Sequence, residues 1–134
     1  MQLTKKERNK ILDHPFFSGL DREETSRIIF SHGCRLCDYA NGEMILSPMS
    51  TEKSAGLILS GSATVTTTDT SKHALLRFLQ AGDLFGVSNL FTDEPFATRI
   101  VSDKHCRVFF LPREAILSLL SDRKSTRLNS SHVT

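Results

Sequence analysis

The sequence predicts a mainly β domain with flanking α-helices, folded as a double-stranded β-helix or jelly roll. Three observations predict it. Short β-branched or apolar segments recur between positions 35 and 111, separated by glycine and polar turn signals. Helix-start signatures precede that region, and a proline-led apolar segment follows it. The length, 134 residues, suits one domain that buries roughly two thirds of its unfolded surface.

Taken in order, Thr4-Lys5-Lys6-Glu7 is a capping-box pattern and predicts a short helix running to Asp13. Pro15 stops it. Asp21-Arg22-Glu23-Glu24 is a similar signature. With Leu20, Ile28 and Ile29 on an apolar side and Gly33 suited to the residue past the end, it predicts a helix over 21–32. Asn41-Gly42 is the strongest short hairpin signal, with strands expected over 35–40 and 43–47. Gly56–Ser60 and Ala63–Thr68 read as strands joined at Gly61. Asp69–Lys72 is polar turn material, and His73–Leu79 is the next strand. Thr98–Ser102 and Cys106–Leu111 complete the set. Pro112 is placed at the first position of a helix reaching Leu120, with Ile116, Leu117, Leu119 and Leu120 on a partly buried face. No internal repeat or low-complexity linker interrupts the order.

At 39% hydrophobic and 24% charged residues, the composition is that of an ordinary soluble globular protein. No stretch of about 18 apolar residues exists to span a membrane. Met1–Arg8 lacks the apolar core of a secretory signal, so a cytoplasmic location is expected. Three cysteines, an odd count, fit a reducing compartment better than a disulfide framework. Of 17 basic and 15 acidic residues, three basic and one acidic fall in 122–134, so residues 1–121 are charge-balanced. They carry no basic footprint for nucleic acid.

Asp122-Arg-Lys-Ser-Thr-Arg-Leu-Asn-Ser-Ser-His132 resembles a translated sequencing-library adapter, codon by codon. The expectation is a sensor domain over 1–121, with 122–134 a non-native tail that takes no part in the fold.

The ordered pieces are specific together. They are Leu59-Ser-Gly61-Ser-Ala63, Gly82-Asp-Leu-Phe-Gly86, and Cys106-Arg-Val-Phe-Phe-Leu-Pro-Arg113 leading into a helix. Residues 12–121 resemble the N-terminal sensor domain of the Crp/Fnr superfamily of bacterial transcription regulators. The resemblance implies a cyclic-nucleotide-binding-like β-roll with the start of a dimerisation helix at 112–121. It also implies a homodimer in the full-length protein. DNA would be bound only through a helix-turn-helix domain absent from this chain.

The resemblance also implies a pocket. Members that bind cyclic AMP place a Glu on the ribose 2′-hydroxyl, and an Arg followed by Ser or Thr on the cyclic phosphate. A carboxylate accepts the hydroxyl hydrogen, and a guanidinium gives charge-assisted bonds to phosphate. Here Val87 follows Gly86 where the Glu is expected. The Arg position falls on Ala97 counted from Gly86, or Phe96 counted back from Cys106. Each lost contact costs about 1.5–3 kcal/mol, so two weaken binding by roughly a hundredfold or more. Tight cyclic AMP or cyclic GMP binding is not expected. The candidate effector-binding residues are Gly86, Val87, Ser88, Asn89, Ala97, Thr98 and Arg99. Ser88, Asn89 and Thr98 offer hydrogen bonds. Arg99 lies two residues beyond Ala97 and would share its face on a strand.

Cys34-Arg-Leu-Cys37 is a C-x-x-C, with Cys106 a third thiol and His32 nearby. These four are the alternative metal or redox ligands. Residues three apart on a strand point to opposite faces, which favours structural thiols. A cupin-like enzyme lacks its His/Glu ligand pattern, and no catalytic motif or phosphate loop is present. The leading reading is a non-enzymatic, cytoplasmic sensor of an unidentified small-molecule effector. It requires no cofactor and no membrane.

Overall fold

Thr4 starts the fold as the sequence predicts. Its hydroxyl accepts from the Glu7 N–H at 3.0 Å, and the Glu7 carboxylate accepts from the Thr4 N–H at 3.0 Å. This capping box opens helix α1, Lys5–Leu12. The computed structural model describes residues 3–30, 33–47, 53–67, 76–87, 90–92 and 98–121. Pro15 ends α1 but does not begin a loop. It leads a 3₁₀ turn, Pro15–Phe17, capped by the His14 side chain. Helix α2 spans Arg22–Ile29 with Asp21 as N-cap. It ends earlier than the expected 32. Phe30 leaves the helix, and its ring packs against Phe109 at 6.0 Å beneath the Arg8 guanidinium.

Among the described residues eight strands follow: β1 Arg35–Tyr39, β2 Met44–Leu46, β3 Ser54–Ser60, β4 Ser62–Thr67, β5 Leu76–Gln80, β6 Leu84–Phe85, β7 Thr98–Ser102 and β8 Cys106–Pro112. They form two four-stranded antiparallel sheets, ordered β1-β8-β3-β6 and β2-β7-β4-β5. The chain passes repeatedly between the sheets, which makes a mainly β roll with helical flanks. A last helix, α3, covers residues 113–121.

Two expectations change here. Asn41-Gly42 does not close a hairpin, because β1 pairs with β8 while β2 pairs with β7. The turn carries the chain from one sheet to the other. A matching turn at Ala81-Gly82 carries it back from β5 to β6. Gly42 (φ +85°) and Gly82 (φ +98°) adopt backbone that favours glycine. In each turn an acidic side chain closes the ring. Glu43 accepts from the Ala40 N–H and Asp83 from the Gln80 N–H, both at 2.7 Å. The second change is at Pro112, which ends β8 opposite Ser54 rather than starting the helix.

The sheet containing β3 and β8 is buried on both faces, so both strands read as near-continuous apolar runs. Leu57, Leu59, Phe109 and Leu111 pack toward the helices, joining Ile11, Ile29, Ala115, Ile116 and Leu119. Ile58, Cys106, Val108 and Phe110 pack toward the other sheet, against Ala63, Leu79 and Ile100. Gly56 sits between Phe110 and Phe85 in one cross-strand row. A Cβ there would lie 2.1 Å from the Phe85 ring. Its absence lets the two rings meet edge to face at 6.0 Å.

Helix α3 buries Ala115, Ile116 and Leu119, while Leu117 and Leu120 are exposed. The expected apolar face is therefore split between two sides. Residues 122–134 lie outside the described residues, and with them the expected tail.

Candidate effector site

Cross-strand register builds one wall of a cavity. Leu46, Ile100, Val65 and Arg77 are successive partners across β2, β7, β4 and β5. They form a single row on one face of that sheet. Leu79 and Thr98 stand two residues along their strands from Arg77 and Ile100 and share the face. Leu84, Phe85, Gly86 and Val87, at and just after β6, close the space from the opposite sheet. The cavity is open on one side and measures about 280 Å³. That is near the lower edge of the ~300–1,000 Å³ usual for drug-sized ligands.

The Gly82-Asp83 turn holds β6 where it meets this space. The Gly82 N–H donates to the Ile58 carbonyl at 2.7 Å, and the Ile58 N–H donates to the Asp83 carbonyl at 3.0 Å. His14 Nε2 donates to the Gly82 carbonyl at 2.8 Å, so the N-terminal segment latches onto the turn.

Three of the sequence candidates, Gly86, Val87 and Thr98, line the cavity. Ser88, Asn89 and Ala97 lie outside the described residues, as does Phe96. Arg99 does not join the site. It sits between Thr98 and Ile100 on β7, so strand alternation turns it to the other face, where it is exposed. Seven lining residues were missed by sequence reasoning, and Arg77 is the charged one among them. Residue type alone suggests that Phe78 rather than Arg77 faces inward. The register decides otherwise: Phe78 is 66% exposed, and Arg77 shares the inner face with Leu79. Among the described residues no carboxylate pairs with Arg77 and no other cation lines the cavity.

Val87 reaches two environments. It lines the cavity and packs against the helix-side core. Its carbonyl accepts from the Leu90 N–H at 3.2 Å. Leu90 is fully buried in the cluster that holds Ala115, Ile116 and Leu119 of α3. The neighbouring Phe91 ring lies under the Arg113 guanidinium at 5.9 Å. The cavity floor and α3 thus share one packed layer.

The cysteines are not gathered into one site. Cys34 belongs to the helix-side core, and Cys37 and Cys106 to the inter-sheet core. Burial pushes the Cys34 thiol up to about 12 and raises Cys106, with the Asp103 charge adding to the latter. Burial, then the neighbouring Cys37, also pushes the Tyr39 phenol up to about 12. Thiols so disfavoured as thiolates are poor metal ligands and nucleophiles. No cluster of three or more His, Cys, Asp or Glu with metal-binding geometry occurs among the described residues. His32 lies outside them. Among the described residues no helix is long and apolar enough to cross a membrane.

A family model described as the cyclic nucleotide-binding domain matches residues 36–123. The chain belongs to the cyclic nucleotide-binding domain family. Solved structures share the fold of this cyclic nucleotide-binding domain at low sequence identity. The sensor domain of the transcriptional regulator DNR from Pseudomonas aeruginosa superposes with a TM-score of 0.77 at 14% identity, over 96% of this chain and 88% of that one. The regulatory domain of Toxoplasma gondii PKA, crystallised with cAMP, gives 0.75 at 21% identity, over 95% and 49%. The Thermus thermophilus catabolite activator protein gives 0.67 at 22% identity, over 89% and 60%. The chain therefore spans about half the length of the Toxoplasma regulatory-domain chain. No curated protein matches it.

Proposed function

We propose that this domain is the effector-sensing part of a bacterial Crp/Fnr-type transcription regulator. The observation that carries the reading is the double environment of Val87. An effector in the roll cavity presses on Val87, and Leu90 passes the displacement to α3. A ligand that fits one packing of this layer better than another shifts the population between them. In the whole regulator, α3 would continue into a dimer contact, and a separate domain would bind DNA. The domain itself is regulatory rather than catalytic.

Cyclic AMP is not its tight ligand on this reading. The ribose-binding carboxylate is replaced by Val87, an apolar side chain facing the cavity. Isothermal titration with cyclic AMP and cyclic GMP tests the point. The expected result is no saturation at micromolar concentrations. Micromolar affinity for either nucleotide overturns it.

A further inference from the structure

The cavity has one charged lining residue among the described residues, and it stands where no motif places it. Arg77 is the fourth member of the row Leu46–Ile100–Val65–Arg77. The other three are buried and apolar, whereas Arg77 is exposed at the edge strand β5. The wall thus runs from an apolar interior to a guanidinium at the rim. No carboxylate neutralises that guanidinium among the described residues. Thr98, on the same face, adds a hydroxyl.

We infer that Arg77 is the anion anchor of this site, and that the effector is a small amphipathic organic anion. The anionic group, a carboxylate or phosphate monoester, meets the Arg77 fork at the rim. The apolar body enters between Val65, Ile100, Phe85 and Val87. Such a ligand suits both ends of the wall. A free inorganic anion leaves the apolar end empty, and a neutral hydrocarbon leaves the guanidinium unused. The planar guanidinium recognises both anion types through paired hydrogen bonds. This inference rests on the proposal that the roll cavity takes the effector, and adds the ligand class and the residue that selects it.

The test uses two anionic probes, hexanoate and phenyl phosphate, and the neutral counterpart hexanamide. Binding is followed by chemical-shift changes at cavity residues in the full chain and in Arg77→Met and Arg77→Lys variants. The anions are expected to bind more tightly than hexanamide. Arg77→Met should weaken them by roughly tenfold or more and leave hexanamide unchanged. Arg77→Lys should recover part of the loss, because it keeps charge without the fork. Equal binding of hexanoate and hexanamide at the cavity overturns the anchor and leaves the cavity reading standing. No shift at cavity residues with any probe overturns both. Unchanged anion binding with increased self-association of Arg77→Met assigns Arg77 instead to guarding the β5 edge, and also overturns the inference.

Discussion

Arg107 on β8 grips Glu7 on α1 with two nitrogens, Nε to Oε2 at 2.5 Å and an outer nitrogen to Oε1 at 3.2 Å. The two residues stand a hundred positions apart in the chain and are only 23% and 17% exposed. Glu7 is also the carboxylate that closes the α1 capping box. One side chain therefore starts the first helix and fastens it to the roll. Asp38 on β1 adds a second carboxylate to Arg107 at 3.3 Å.

Glu7→Gln should lower stability by about 1.5–3 kcal/mol, read as a shift of the urea midpoint at neutral pH. The effect should depend on pH. Burial works against the charge of Glu7, but hydrogen bonds from Arg107 and Thr4 and the Arg107 charge outweigh it. Its carboxyl is held below the ordinary value of 4.5. A lowered folded value means that the contribution is complete above 4.5 and disappears as pH falls through the folded value. The gap between wild type and Glu7→Gln should close in that acidic range. A gap independent of pH counts against the ion pair.

Gly56→Ala should destabilise the roll by about 1–3 kcal/mol, because the new methyl overlaps the Phe85 ring. Pairing it with Phe85→Leu should recover part of the loss. A Gly56→Ala variant as stable as wild type would show that the ring moves aside freely.

Leu90→Ala should cost about 2–5 kcal/mol and loosen α3 more than the sheets. Hydrogen exchange measured along the chain separates these. Faster exchange confined to residues 113–121 and the Val87 region supports coupling between cavity and helix. Uniform acceleration points to a purely structural role for Leu90.

Cys34 and Cys106 should resist alkylation by iodoacetamide at pH 8 in the folded protein, since burial holds both thiols protonated. Peptide mass spectrometry after timed labelling checks this. Labelling of Cys34 or Cys106 as fast as in urea would revive a reactive-thiol role.

Val87→Glu combined with Ala97→Arg should raise cyclic AMP affinity by roughly a hundredfold, the reverse of the two lost contacts. Neither change alone should achieve this. If calorimetry finds the double variant no better than wild type, the missing side chains are not what excludes the nucleotide.

Local chemistry was legible wherever it is self-contained. The Thr4–Glu7 capping box and the Asp21 cap involve residues within three positions of one another, and each forms as read. Pairing was less legible. Asn41-Gly42 looks like a hairpin because turn residues do not say whether the strands they join share a sheet. The two-residue strand β6 carries too little pattern to be seen, and its place is decided by Phe85 lying over Gly56. The candidate site divides along the same line. Gly86, Val87 and Thr98, candidates because of the resemblance, line the cavity. Arg77 and Arg99 exchange roles because one register places Val65 beside both Ile100 and Arg77.

The sequence by itself determined the fold class, the helical flanks and the caps at Thr4 and Asp21, and it carries Val87 where the resemblance places a ribose-binding Glu. These depend on residue type and short-range spacing, which the chain carries directly. Only the tertiary structure decided which arginine faces the cavity, which cysteines share a core and how Val87 reaches α3. Those depend on strand register and sheet-to-sheet packing, where a shift of one residue turns every side chain to the other face.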